Sequence, residues 1–177
     1  MRKQEVLQTL RKAESVGLWL QCLIALAWVF GKRVSELLRL RRDDFRKDDN
    51  FLYVRFLVLK KKSRRESGIP RPFMKKISLS HPAVPYILAY LKTVEAGYIF
   101  TYKGEMMSRH RPKYYLKKIN PKAWWHLFRE SLATEMAERG AAEEELMHWF
   151  DWDRVGTAHE YVKRGTKLTE KWSDRTW

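Results

Sequence analysis

Cysteine is nearly absent from this sequence of 177 residues. The one cysteine, Cys22, cannot form a disulfide within the chain, which excludes the class of small secreted domains held together by disulfides and suits a reducing cytosol. Histidines are few, and none of the spacings among the five, with a single cysteine, resembles a zinc site. We therefore expect no bound metal of the zinc-finger type.

Long hydrophobic runs and targeting segments are also missing. The most apolar stretch, Gly17 to Gly31, is too short to span a bilayer, and we interpret it as a buried core helix. The N-terminus does not have the pattern of a secretory signal peptide. The sequence therefore predicts a cytoplasmic protein without a membrane partner.

Acidic residues are in the minority, with 21 Asp and Glu against 36 Lys and Arg and a net charge of +15. A folded domain this basic usually binds a polyanion, and nucleic acid is the first expectation. The alternative is the charged surface of a thermophilic protein, but such surfaces carry abundant Glu as well, and this balance is lopsided. Apolar residues make up 45% of the chain and aromatic residues 14%, which excludes a disordered chain.

Apolar residues at helical spacing occupy most of the chain. Gly31 and Gly140 are natural terminators of two of the resulting helices, and Ser108 and Thr157 are the predicted N-caps of two others. The periodicity predicts helices over residues 3–15, 18–30, 34–40, 82–95, 108–119, 124–140, 141–150 and 157–163.

Two segments in the first half of the chain have the composition of strands instead. Phe51 to Leu59 is β-branched and aromatic. Phe73 to Leu79 alternates, with Lys75 on the same side as Ile77, and the basic stretch between the segments has the glycine and prolines of a loop. The sequence therefore predicts an antiparallel hairpin with a basic tip. The fold class is α+β and mostly α-helical, as a single domain over residues 1–177 with a small antiparallel β-sheet.

Arg33 follows the end of the buried helix and begins the next one, in the stretch GKRVSELLRLRRDDF. Glu36 lies three residues further on, so its carboxylate can brace the guanidinium and aim it at a phosphate. The alternative interpretation is an ordinary surface ion pair between two residues of one helix.

A second arginine lies near the start of the predicted helix WWHLFRESLATEMAERG. His126 and Arg129 are three residues apart, so we expect their side chains to point the same way. They would present an imidazole beside a guanidinium that is always charged. Trp124 and Trp125 are expected to pack into the core and hold this polar face rigid.

Lysines crowd the tip of the predicted hairpin. Lys60, Lys61 and Lys62 end its first strand, and alternation places Lys60 and Lys62 on one side. A tip lysine could enter a DNA groove or protonate a leaving oxygen, whereas the alternative is a solvated basic turn.

Trp152 and Tyr161, near the C-terminus, could be core residues when each is taken alone. With the arginines, histidine and lysines before them, however, they complete a series that resembles the catalytic domain of the tyrosine recombinases, the phage-integrase family. The segment around Arg33 is similar to the first box of that family, Gly-x-Arg-x-x-Glu-Leu-x-x-Leu, and HLFRESLATEMAERG is similar to the second. EYVK is similar to the nucleophile box, and the 32 residues from Arg129 to Tyr161 fit the usual gap. The resemblance covers about Leu18 to Lys163.

The resemblance implies cleavage and rejoining of DNA strands without a metal ion or a cofactor. The two arginines would stabilise the extra negative charge of a pentavalent phosphorus. A tyrosine would attack that phosphorus to form a 3′-phosphotyrosyl link, a lysine would protonate the departing 5′ oxygen, and a histidine and an indole would add N–H donors. The implied catalytic residues are Arg33, Lys60, His126, Arg129, Trp152 and Tyr161, with Lys62 the next choice for the lysine.

Three positions depart from the family pattern. Phe128 replaces a common leucine before the second arginine, and Glu130 replaces the histidine that often follows it. Trp152 stands where many members carry a further histidine. Some members also use tryptophan there, so Trp152 is kept as an N–H donor.

The resemblance also implies the partners. A site-specific recombinase of a mobile element, such as an archaeal virus or plasmid integrase, would act on double-stranded DNA attachment sites in the cytoplasm of a prokaryotic host, associated with the nucleoid. It would be a monomer alone and a homo-tetramer in the synaptic complex. The usual N-terminal core-binding domain is expected to be absent. The alternatives are a catalytically inactive DNA-binding module, a type IB-like topoisomerase that uses the same chemistry, and an RNA-binding helical protein.

Overall fold

Two stretches of the chain, residues 1–57 and 72–166, are described by the computed structural model, with side chains as far as residue 163. The helices in these stretches are α1 Lys3–Ala13, α2 Leu18–Phe30, α3 Val34–Leu37, α4 Val84–Leu91, α5 His110–Ile119, α6 Trp125–Glu138, α7 Glu143–Phe150 and α8 Val155–Thr166. The strands are β1 Phe45–Lys47, β2 Phe51–Leu57, β3 Pro72–Ser78, β4 Thr101–Tyr102 and β5 Glu105–Met106. The fold is α+β and mostly helical, which confirms the predicted class.

Helix α2 forms the centre of the hydrophobic core, as the sequence predicts. It is apolar on all sides, so it can only be stable where other elements cover it. Every residue from Leu20 to Phe30 is buried, and α1, α4 and α6 pack around the helix. The Gln21 amide in this run donates to the Leu10 carbonyl at 3.1 Å, so burial leaves it paired. None of the helices in the described stretches is both long and apolar enough to cross a membrane.

Gly31 ends α2 and brings it close to α7. Its φ of 57° lies in the left-handed region, and its N–H donates to the Ala27 carbonyl at 3.0 Å. A Cβ at this position would lie 2.5 Å from Cε1 of Phe150 and 3.1 Å from Cδ2 of Leu132. Glycine is therefore required twice, for its backbone conformation and for the close approach of two helices.

Replacing Gly31 by alanine is expected to lower the free energy of unfolding by about 2–4 kcal/mol, from left-handed strain and overpacking together. Gly97→Ala is the matched control, because Gly97 has a φ of 77° and a Cβ added there would meet no atom of the described residues within 4 Å. Gly97→Ala should lower the free energy of unfolding by only about 1–2 kcal/mol, from the left-handed strain alone. Urea unfolding followed by circular dichroism measures both, and equal losses would contradict the close-approach argument.

The main sheet has the order β1-β2-β3 and is antiparallel throughout. In β2, Leu52, Val54 and Phe56 are buried and alternate with more exposed residues, so one face of the sheet covers the core. Val54 pairs with Lys75 of β3, which places the Lys75 side chain on that inner face. The predicted hairpin is confirmed for its described strands, and the basic tip lies outside the described residues.

Several short elements and helix ends differ from the predictions. β1 and the β4–β5 hairpin were not predicted, because strands of two or three residues are too short to show alternation. The β4–β5 turn is formed by Lys103 and Gly104, whose φ values of 53° and 82° suit a tight hairpin turn. The predicted cap Ser108 is wrong, since α5 follows an N-cap at Arg109.

The predicted ends of α3, α4 and α8 are also wrong. α3 stops after one turn because the chain then turns away from the helix, and the Leu40 carbonyl accepts the Ile99 N–H at 3.0 Å. α4 ends early where the Thr93 hydroxyl bonds the Tyr90 carbonyl at 2.7 Å. Thr157 lies inside α8 and does not cap it, because the helix already begins at Val155.

Candidate active site

Arg33 lies at the junction between α2 and α3, where it precedes the first turn of α3. Its Nη1 lies 3.2 Å from Oε1 of Glu36, and its backbone N–H donates to Oε2 of the same carboxylate at 2.9 Å. The Glu36 side chain is 2% exposed, whereas that of Arg33 is 35% exposed. The expected bracing is present, and it is not a surface ion pair, because the carboxylate is buried. The rest of the guanidinium reaches solvent.

Arg129 joins the ends of two other helices from its position in α6. It is only 3% exposed, its Nη1 donates to the Gly31 carbonyl at 2.7 Å, and its Nη2 donates to the Phe150 carbonyl. Burial, followed by the positive charge of Arg33, lowers the pKa of Arg129 to about 10, so the group stays charged at neutral pH. The guanidinium keeps three further N–H groups, because arginine has five.

Trp152 and Tyr161 stack beside Arg129. The Trp152 ring lies between two aromatic rings, with centroids 4.8 Å from Phe150 and 5.1 Å from Tyr161, and both pairs are nearly parallel. The guanidinium carbon of Arg129 lies 5.6 Å from the centre of the Trp152 ring, and Tyr161 lies close enough to Arg129 to influence its pKa, which its ionised form would raise. The fold therefore brings Arg33, Arg129, Trp152 and Tyr161 to one place, although each comes from a different part of the chain.

His126 lies one turn before Arg129 but differs from it in exposure. The His126 side chain is 58% exposed, and its Nε2 lies 3.7 Å from Oε1 of Glu130. Glu130 is the residue that replaces the common family histidine. The expectation that both tryptophans before it pack into the core is wrong for Trp124, which is 47% exposed, while Trp125 packs against the core and contacts Phe128 at 5.8 Å between ring centroids.

The catalytic lysine predicted at Lys60, and its alternatives Lys61 and Lys62, lie outside the described residues. A different lysine that sequence reasoning missed, Lys75, lies near Arg129. It is 4% exposed, and its Nζ donates to the Trp149 carbonyl and sits 3.8 Å from the centre of the Trp149 ring. Burial, then the positive charge of Lys32, lowers the pKa of Lys75 to about 6. The sequence signal that could have identified Lys75 was its position on the apolar side of a strand with alternating residues.

Lys32 and Asp151 form a second group that the sequence did not reveal. The Lys32 side chain is 1% exposed and makes an ion pair with the Asp151 carboxylate. Asp151 has a φ of 52° and follows α7 in the left-handed conformation, which aspartate tolerates better than most residues. Lys32 follows Gly31 at the end of a buried helix, which was the only hint of its position.

Comparison with known proteins identifies the family and the fold of this chain. The sequence profile of the phage integrase family matches residues 1–167. The chain belongs to the phage integrase family. No functionally curated protein matches the sequence significantly.

Solved structures show that this integrase-family chain has the fold of tyrosine recombinase catalytic domains. A crystal structure of XerA recombinase matches with a TM-score of 0.72 and 14% identity, over 100% of this chain and 64% of XerA. XerH site-specific recombinase bound to palindromic difH substrate, in a post-cleavage complex, matches with a TM-score of 0.75 and 14% identity, over 98% and 52%. The pre-cleavage XerH complex matches with a TM-score of 0.70 and 15% identity, over 99% and 53%. The chain spans between about half and two thirds of these proteins.

Within this integrase-family domain, the described residues contain no group of three or more His, Cys, Asp or Glu side chains that could hold a metal ion. The ion pairs next to Arg129 brace its basic neighbours, since Glu36 pairs with Arg33 and Asp151 pairs with Lys32. The site can therefore bind an anion through fixed cationic donors, and a phosphate is an anion of the right geometry for arginine.

Proposed function

We propose that this domain is the catalytic domain of a site-specific DNA recombinase, an integrase that cleaves and rejoins DNA strands through a 3′-phosphotyrosyl intermediate. The observation that carries the proposal is the cluster of Arg33, Arg129, Trp152 and Tyr161, in which the tyrosine stacks on the tryptophan next to Arg129 and both guanidinium groups are braced. Family membership supports the same conclusion.

The arginines stabilise the transition state in this mechanism. Attack on a phosphodiester produces a pentavalent phosphorus with more negative charge on its non-bridging oxygens than the ground state has. Donors fixed before the reaction stabilise that state selectively and need no reorganisation. Arg33 is held by Glu36, and Arg129 is held by two backbone carbonyls, so both are preorganised. Each keeps N–H groups for the phosphate oxygens.

Tyr161 is the nucleophile in this proposal. Its phenolic oxygen forms a bond to phosphorus as the bond from phosphorus to the 5′ oxygen breaks, and the phenolic proton leaves to a base. A tyrosine has an ordinary pKa near 10, and nearby positive charge favours its ionised form. The departing 5′ oxygen takes a proton from a general acid, for which we propose Lys60. His126 and Trp152 supply further N–H donors, and no metal ion or cofactor takes part.

The proposed substrate is double-stranded DNA carrying an attachment site of a mobile element. The net charge of +15 supports binding to a polyanion that is strongly weakened by salt. XerH, which shares this fold, is described as bound to its difH substrate. We propose a monomer in the absence of DNA and a homo-tetramer when two sites are synapsed, acting in the cytoplasm of a prokaryotic host.

The proposal is tested with a nicked suicide duplex that carries the presumed attachment site. Cleavage beside the nick releases a short fragment, so rejoining fails and the covalent intermediate accumulates. We expect a protein band of reduced mobility on a denaturing gel, and a DNA-linked peptide that contains Tyr161 in mass spectrometry. Intact DNA binding without any covalent band would contradict the proposal and favour a binding-only module. Relaxation of supercoiled plasmid by the monomer would favour a topoisomerase instead.

A further inference from the structure

Three consecutive residues at the end of α7 are each held by a buried basic side chain. Lys75 donates to the Trp149 carbonyl, Arg129 donates to the Phe150 carbonyl, and Lys32 pairs with the Asp151 carboxylate. The next residue in the chain is Trp152, whose ring stacks on Tyr161. We call the set formed by Lys32, Lys75 and Arg129 the α7 clamp.

The chemistry of a helix end explains why N–H donors suit this place. The last carbonyls of a helix have no partners within the helix, and they carry the negative end of its dipole. The backbone N–H of Trp152 donates to one of these carbonyls, that of Met147, at 3.0 Å, in the pattern of a left-handed helix cap. The clamp satisfies the carbonyls of Trp149 and Phe150, so the turn from α7 into Trp152 is held from both sides.

Stability alone does not account for two buried lysines here. Lys75 lies on the inner face of β3, where the paired positions of β2 are apolar and buried. Burying an ammonium group costs free energy, and each of the two lysines adds repulsion to the other. An apolar residue at either position would avoid both costs but would leave the Trp149 carbonyl or the Asp151 carboxylate without its partner. The two lysines are therefore better explained by their contacts with the turn after α7.

We propose that Lys32 and Lys75 are positioning residues for the nucleophile. They hold the backbone immediately before Trp152 and thereby fix the position of the Trp152 ring. Tyr161 stacks on that ring, so its position is fixed as well. The role in the reaction rests on the function proposed above. Both side chains are buried, and their described polar contacts are to the turn after α7, with the Trp149 carbonyl and the Asp151 carboxylate. We therefore expect their effect on cleavage to pass through that turn.

The first test measures cleavage separately from binding. Lys75→Met and Lys32→Met keep an unbranched side chain that is one heavy atom shorter, and they remove its N–H donors. The matched control is Lys76→Met, which makes the same substitution on the exposed face of the same strand. With saturating protein and the suicide duplex, each clamp variant should cleave on the order of 10²-fold more slowly than wild type, because small displacements of reacting groups have effects of that size. Its DNA Kd should match that of the control.

The second test observes Trp152 without relying on activity. The eight tryptophans are replaced by fluorotryptophan, and the Trp152 signal in the fluorine NMR spectrum is assigned from its loss in Trp152→Phe. In Lys75→Met and Lys32→Met this signal should shift or broaden, while that of Trp19, which packs against Tyr115, stays in place and confirms folding. Lys76→Met should leave both unchanged.

The two tests together separate the possible failures. A wild-type protein that forms no adduct would refute the proposed function, while the Trp152 signal would still decide whether the clamp positions that ring. An unchanged Trp152 signal in both clamp variants would overturn the inference, and so would a changed signal with normal cleavage. If Lys75→Met does not fold, Lys32→Met decides alone.

Discussion

Tyr161→Phe is expected to form no covalent DNA adduct while binding DNA as the wild type does. The substitution removes only the hydroxyl group, whose oxygen is the proposed nucleophile. Loss of a covalent nucleophile typically reduces the rate by more than about 10⁴-fold, which lies below detection in a gel assay. The suicide-duplex assay and a filter-binding measurement of Kd check the two halves of this prediction.

The phenylalanine ring preserves the packing around the lost hydroxyl. Tyr161 stacks on Trp152 through its ring, at 5.1 Å between centroids, so the variant keeps this contact and should fold normally. Tyr114→Phe is the matched control, because Tyr114 is 63% exposed and lies in α5, where it contacts Tyr115. It should form the adduct as the wild type does. An adduct in Tyr161→Phe would show that another residue is the nucleophile and would refute our assignment.

The parts of the fold that could be predicted are those dictated by local chemistry. α2 was predicted correctly at both ends, because an apolar run closed by a left-handed glycine has few alternatives. The positions of Arg33 and Arg129 followed from the spacing of family boxes. The short strands and the true ends of α3 and α4 were missed, because tertiary hydrogen bonds decide them and the local pattern does not.

The missed residues of the site share a physical reason. Lys75 contacts the Trp149 carbonyl across 74 residues of sequence, and Lys32 contacts Asp151 across 119. Both lysines therefore look like ordinary surface residues in a chain with 36 basic residues. Only the alternation in β3, which assigns Lys75 to the apolar face, distinguished one of them from the rest. Partners so distant in sequence can be identified only when the fold has brought them together.

Arg33→Ala and Arg129→Ala are both expected to reduce cleavage by about 10²–10³-fold, the usual effect of removing one donor from a preorganised anion site. The two variants should differ in stability. Arg129→Ala leaves two buried carbonyls, on Gly31 and Phe150, without their donors, at a cost of about 1–3 kcal/mol each. Cleavage is measured with the suicide duplex, and the free energy of unfolding is measured with urea.

Arg33→Ala should be less destabilising, because its guanidinium holds no backbone carbonyl in the described contacts and Glu36 keeps the Arg33 backbone N–H as a donor. Arg139→Ala controls for the loss of one positive charge, since Arg139 follows α6, is 77% exposed and pairs only with Glu135 among the described ion pairs. It should change neither rate nor stability appreciably. If both active-site variants lost rate in proportion to stability, the arginines would be structural. A large loss of rate in a stable Arg33→Ala protein shows instead that its charge acts on the phosphate.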